Sequence, residues 1–249
     1  MYRPYLNGES PGDNAAAGGS IMTNERQPSA YQRITGADWH HIFVVGDIHG
    51  CYRQLMAALE QVGFDTGCDL LVSVGDLIDR GPQNLACLDL LQQRWFRAVR
   101  GNHEQMALDA LNDSARIPLW RANGGDWFFQ LDDERQALAR RLLALAAQLP
   151  YVIEIETAGR RTVVAHADYP ADCYQFDQPL PWTQVLWNRQ RVSQAVAGVG
   201  GPIAGADRFL FGHTPLRQVL TCWNLQYIDT GAVFGGELTL RCIQDGVSE

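Results

Sequence analysis

One turn, Gly75-Asp76-Leu77-Ile78-Asp79-Arg80-Gly81, delivers two carboxylates and a guanidinium side by side. A carboxylate at the C-terminal end of a strand is well placed to bridge two cations. An arginine a few residues on can hold the anion those cations attract. The apolar run Leu70-Leu71-Val72-Ser73-Val74 leads into this turn, and Gly75 lets the backbone reverse. The same arrangement, apolar run then short polar turn, recurs at Asp47 and His49, at Asn102 and His103, at His166 and at His213. Any of these turns alone would pass as a polar loop. Their repetition predicts that they meet at one sheet edge, where α/β proteins bind ligands.

Asp47, His49, Asp76, Asn102, His166 and His213 offer carboxylate, imidazole and carboxamide donors without a thiolate. That set suits Mn²⁺, Fe²⁺ or Zn²⁺ in an open site rather than a structural cysteine-zinc site. The six exceed what one catalytic ion can take while keeping places for water, and they match two ions that share a carboxylate, Asp76. Two ions about 3.5–4 Å apart clamp a phosphoryl group and lower the pKa of a shared water, giving hydroxide near neutral pH. His49 is alternatively a residue that supports its neighbour ligand from behind. His103 adjoins Asn102, and adjacent side chains in a tight turn generally cannot both reach one ion. His103 instead fits a general acid for an alkoxide leaving group, with Asp79 orienting its ring. Arg80 and Arg100 flank the same turns, and a guanidinium fork matches two phosphate oxygens. Arg189, in Leu186-Trp187-Asn188-Arg189, has no comparable support from spacing. His40 and His41 precede the first apolar run and read as structural or solvent-facing.

These side chains need a scaffold of alternating strands and helices. Strands are predicted at 42–45, 70–74 and 96–99. Helices around Leu55 and Leu59, over 84–93, and around Met106 and Leu111 separate or follow them, a βαβαβ first half. The stretch 112–150 breaks the alternation and reads as a helical insertion, with a helix over 133–148 capped by Asp132 or Asp133. Strands follow at 151–156, 161–165, 209–211, 226–228 and 238–242, with a short helix over 184–191. Residues 1–35, rich in Gly, Pro, Asn and Ser, read as a disordered N-terminal tail, with Met22 an alternative start. Residues 36–249 read as a single domain.

A net charge of −8 argues against a general binder of nucleic acid or anionic membrane, because both need a basic surface. No apolar stretch approaches the ~20 residues of a membrane helix. The start, Met1-Tyr2-Arg3-Pro4, lacks a signal-peptide pattern, so a cytoplasmic location is expected. The six cysteines are widely spaced and are expected as buried, reduced thiols.

Gly46-Asp47-Ile48-His49-Gly50, Gly75 through Gly81, Arg100-Gly101-Asn102-His103-Glu104, His166 and Gly212-His213-Thr214 resemble, in order and spacing, the signature of the PPP phosphoprotein phosphatases. Cys51-Tyr52, His166-Ala167-Asp168-Tyr169-Pro170 and Val185-Leu186-Trp187-Asn188-Arg189 narrow the likeness. They resemble the bacteriophage lambda-type branch and its enterobacterial serine/threonine phosphatases, over residues 34–242. Eukaryotic members read His-Gly-Gly where this chain has His166-Ala167-Asp168, which favours the small bacterial and phage branch.

The resemblance implies an α/β, calcineurin-like metallophosphoesterase fold, two mixed β-sheets sandwiched between helices in four α/β/β/α layers. It implies Asp47, His49 and Asp76 on a first ion, and Asp76, Asn102, His166 and His213 on a second. Manganese is the metal implied, with Fe²⁺, Zn²⁺ and Ni²⁺ as other candidates. His103 with Asp79 matches the family's general-acid pair, and Arg80, Arg100 and Arg189 its phosphate-contacting arginines. The expected reaction is hydrolysis of phosphoserine and phosphothreonine in proteins, with phosphotyrosine as a further substrate, by direct attack of a metal-bridging hydroxide. No obligatory regulatory subunit is expected. The alternative within the fold is a symmetrical diadenosine tetraphosphate hydrolase. Those relatives usually lack a carboxylate at the position of Asp79 and carry Asp at that of Glu104. A nuclease is disfavoured by the acidity, and a non-enzymatic scaffold by the complete set of site residues.

Overall fold

The computed structural model describes residues 29–244. Short apolar runs bounded by glycine and polar turns give ten strands among the described residues, arranged in two sheets. In the first, β2 (Ile42–Val45), β3 (Leu70–Ser73) and β4 (Phe96–Ala98) run parallel, and β10 (Leu240–Cys242) lies antiparallel on the β2 edge. Helices α1 (Tyr52–Gln61) and α2 (Asn84–Asp89) make the crossovers, as the βαβαβ pattern predicts. The second sheet has the order β1 (Tyr31–Thr35), β5 (Val152–Thr157), β6 (Arg160–Ala165), β7 (Arg208–Phe211), β9 (Leu225–Tyr227), β8 (Leu220–Cys222). It mixes parallel and antiparallel neighbours.

Alternation along the strands sorts the apolar residues into three cores, hence four layers. Ile42 and Val44 of β2, Val164 of β6 and Leu210 of β7 fill the space between the sheets. Phe43 and Val45 face the other way, onto α1, α2, α3 (Asn102–Asn112) and the insertion. Val163, Phe209 and Phe211 face α7 (Trp182–Trp187) and α8 (Gln190–Val196).

Three sequence expectations need correction. The tail was expected to run to residue 35, but Tyr31–Thr35 forms the edge strand β1, parallel to β5. Only Tyr31 and Ile34 of it point inward, so its polar text hides it; Arg33 pairs with the buried Glu154. The rest of the predicted tail, residues 1–28, lies outside the described residues. The helix expected over 184–191 is two helices, broken at Asn188 and Arg189. All six cysteines are free thiols, but Cys173 and Cys242 are exposed.

The insertion comprises α4 (Ile117–Trp120), a π-turn (Arg121–Gly125), α5 (Asp126–Phe129) and α6 (Asp133–Ala146). Asp132 caps α6, accepting a bond from Arg135 N at 2.8 Å.

Candidate metal centre

The six predicted ligands come together. Asp47 and Asp76 follow β2 and β3, Asn102 opens α3 after β4, and His166 and His213 follow β6 and β7. Each is buried. The first sheet thus supplies Asp47, His49, Asp76 and Asn102, and the second supplies His166 and His213. Nε2 of His49 lies 3.6 Å from Asp76 Oδ2 and 3.9 Å from Asp47 Oδ2. Nε2 of His166 lies 3.4 Å from the same Asp76 oxygen. Asn102 Oδ1 sits 2.8 Å from both His166 Nε2 and His213 Nδ1. Asp76 belongs to two clusters of metal-type side chains, one with His49 and His103 and one with His166 and His213, the position expected of a bridging carboxylate.

The backbone holds these donors in costly conformations. His49, Asp76, Asp79, Arg80 and His213 all have positive φ, between 44° and 74°. Non-glycine residues seldom adopt that region unless the surroundings enforce it. At Gly101 a Cβ would overlap Asp76 Oδ1, so only glycine lets the two turns close up. Glu104 then ties them: its carboxylate accepts from Asp76 N at 2.9 Å, Leu77 N at 2.8 Å and Gly101 N at 2.9 Å. Asp47 accepts from the backbone N–H of His213, linking the two sheets. The ring Nδ1 of His49 meets Ile78 O, and that of His166 meets Val74 O, each at 2.8 Å. A carbonyl can only accept, so each ring carries its proton on Nδ1 when neutral and turns its Nε2 lone pair inward.

Electrostatics point the same way. Burial, then Asp229 and Asp76, push the Asp47 carboxyl well above its usual range. Burial, then Asp76, push Glu104 up to about 7. Burial opposes the charge on Asp76 too, but His166, His103 and His49 hold it well below the ordinary value. Burial lowers His49 and His213 to about 3, leaving both rings neutral and available as ligands. Burial works against a charge on His166 as well, but Asp76 raises it above the ordinary value, so the carboxylates hold positive charge where a cation would be favoured.

His103 stands beside this cluster. Its Nδ1 bonds Asp79 Oδ2 at 2.7 Å and its Nε2 lies 3.9 Å from Asp76 Oδ2. Arg80 Nη1 approaches His49 Nε2 at 2.6 Å, and Arg189 Nε approaches His213 Nε2 at 3.2 Å. Asp168 steadies the Arg189 loop, accepting from Asn188 Nδ2 and Arg191 Nε at 2.7 Å each. Arg100 does not join them. Its guanidinium is held by Gln105, by the Tyr151 hydroxyl and by the carbonyls of Ala147 and Leu149 after α6. Its guanidinium thus lies among acceptors near residues 147–151 rather than against the cluster, because spacing does not determine the direction of so long a side chain.

Sequence reasoning missed Asp229, a buried carboxylate whose charge acts on Asp47. It too follows an apolar strand and opens a turn, Ile228-Asp229-Thr230-Gly231, so the same pattern could have found it. Glu104 reads in the sequence only as a family marker.

The profile of the calcineurin-like phosphoesterases matches residues 40–236. The chain belongs to that family. It is 53% identical over 219 residues to serine/threonine-protein phosphatase 1 of Salmonella typhimurium, covering 88% of this chain and 99% of the relative. It is 45% identical over 214 residues to serine/threonine-protein phosphatase 2 of Escherichia coli, covering 86% and 98%. Among solved structures, a provisionally named diadenosine tetraphosphatase superposes with a TM-score of 0.62 at 22% identity, over 88% of this chain and 100% of that one. At that identity the likeness concerns the fold alone. For a calcineurin-like phosphoesterase a divalent metal is the implied cofactor. The residues present fit it: two carboxylates, three imidazoles and a carboxamide converge, all buried and with no thiolate among them.

Proposed function

We propose that this chain is a phosphoprotein phosphatase that hydrolyses phosphoserine and phosphothreonine, with phosphotyrosine as a further substrate, using two manganese ions. The observation that carries the reading is the buried pair His103–Asp79 set against the ligand cluster through Asp76. Asp47, His49 and Asp76 would hold one ion, and Asp76, Asn102, His166 and His213 the other. When bound, the pair supplies charge neutralisation for the phosphoryl oxygens and an activated water as nucleophile.

The chain's own residues do the rest. Arg80 and Arg189 reach the cluster from opposite partners, His49 and His213, and present guanidinium forks to the phosphate. His103 gives its Nε2 proton to the departing serine or threonine oxygen as the P–O bond breaks, so that an alcohol rather than an alkoxide leaves. Asp79 accepts from His103 Nδ1 and fixes the ring's direction.

This pair also weighs against the symmetrical diadenosine tetraphosphate hydrolase. Splitting a polyphosphate chain expels a phosphate oxygen of low basicity, which needs little help from an acid. The names of the two enterobacterial relatives support the phosphoprotein reading. The test compares turnover of phosphoserine, phosphothreonine and phosphotyrosine peptides with that of the dinucleotide, before and after chelation. Phosphopeptide activity should vanish on chelation and return with Mn²⁺, at about two ions per chain. Faster turnover of the dinucleotide than of any phosphopeptide would overturn the proposal.

A further inference from the structure

We infer that Trp127 and Trp120, from the helical insertion, are positioning residues for His103, acting through Asp79. The inference rests on His103 as the general acid. Asp79 is fully buried, and its carboxylate receives three N–H groups. One is Nδ1 of His103, at 2.7 Å from Oδ2. Trp127 Nε1 donates to Oδ1 at 2.7 Å. Trp120 Nε1 is shared between the oxygens, at 3.1 Å and 3.0 Å.

Indole N–H donates and never accepts. Two indoles therefore demand an acceptor on each oxygen of Asp79. A carboxylate satisfies them and leaves one Oδ2 lone pair directed at His103. Only an Nδ1–H of the imidazole completes that arrangement. The proton to be transferred is thereby placed on the other nitrogen, Nε2, which faces the cluster. Without the indoles the carboxylate could rotate, or share its Nδ1 partner with water, and the ring would lose its fixed direction.

The local backbone is built for this convergence. Trp120 ends α4 and Trp127 lies in α5, and the π-turn between them sets the two rings at 90° with centroids 6.3 Å apart. Gly124, at φ 106°, reverses the chain there. Its carbonyl accepts from Arg80 N at 3.3 Å, and a Cβ on it would stand 2.8 Å from that nitrogen. The insertion thus grips both ends of the Asp79-Arg80 dipeptide, the carboxylate through the indoles and the next peptide through Gly124. The two indoles lie 41 and 48 residues beyond Asp79.

The experiment uses the full chain loaded with Mn²⁺ and two substrates. A phosphoserine peptide has a poor leaving group, and nitrophenyl phosphate has a good one. Trp127→Phe should lower kcat/KM on the phosphopeptide about tenfold and on nitrophenyl phosphate less than about threefold, with metal content unchanged. Trp120→Phe, read the same way, serves if Trp127→Phe does not fold. Added to His103→Asn, either indole substitution should cause no further loss, because the group it positions is gone. Equal losses on both substrates, or a full extra loss on top of His103→Asn, would overturn the inference and leave His103 as the acid. Equal losses for His103→Asn itself would remove the acid assignment, and the inference with it.

Discussion

The first sheet carries a cluster of metal-type side chains at each end, and only one of them is arranged to bind. At the N-terminal ends of β2 and β3, His40, Cys68 and Asp69 come within ligand distance of one another, and His41 joins them. There Asp69 is already satisfied. Its Oδ1 accepts from His41 N at 2.9 Å and meets His41 Nδ1 at 3.1 Å, and its Oδ2 accepts from Asp65 N at 2.9 Å. His40 is mostly exposed, and the buried Asp69 carboxylate has both oxygens already answered by N–H groups. At the C-terminal ends the backbone N–H groups are answered by Glu104, by Asp76 Oδ1 and by the Asp47 carboxylate, while Asp76 Oδ2 and the Nε2 atoms of His49 and His166 converge. Proximity of the right residue types is thus a weak signal. Lone pairs left over once the backbone is satisfied are a strong one.

Three substitutions test that contrast. The largest effect belongs to Asp76→Asn. It should reduce phosphatase activity about a thousandfold or more, with fewer than two ions retained per chain by elemental analysis. Retention of both ions would remove Asp76 from the bridging role. Next is Glu104→Gln. The amide would turn an NH₂ group toward backbone N–H donors that now meet carboxylate oxygens. Metal affinity should fall about 10- to 100-fold by titration calorimetry, although Glu104 is not itself a ligand. Unchanged affinity would mean that the two turns hold their positions without it. Smallest in function is Asp69→Asn at the opposite end. Activity and metal content should stay at the wild-type level while stability drops by about 1–2 kcal/mol in denaturant titration, from a mismatched buried acceptor. A lost ion would overturn the contrast.

Much of this arrangement was readable from residue order. Each candidate donor follows a short apolar run, and parallel strands end at one edge of a sheet, so bringing Asp47, His49, Asp76, Asn102, His166 and His213 together needed no long-range information. The unread parts share a cause. The edge strand β1 has one buried face and a polar one, so Tyr31–Thr35 lacks the apolar density of a central strand. Arg100 has a long side chain whose direction depends on acceptors near residues 147–151, out of reach of any local pattern. Trp120 and Trp127 lie in the insertion, and nothing local in the sequence ties them to Asp79. Their N–H groups matter only because folding brings Asp79 beneath them.

The donor set also straddles a seam. Four of its members ride on one sheet and two on the other, with the apolar layer of Val44, Val72, Val164 and Leu210 between their strands. The separation of the two sets of side chains therefore depends on how that layer packs, together with the Asp47–His213 bond that links the sheets. Trimming a single methyl group there, well away from any polar atom of the centre, would let one sheet slide against the other and retune how tightly cations are gripped. In this architecture the greasy filling sets the bite of the jaws.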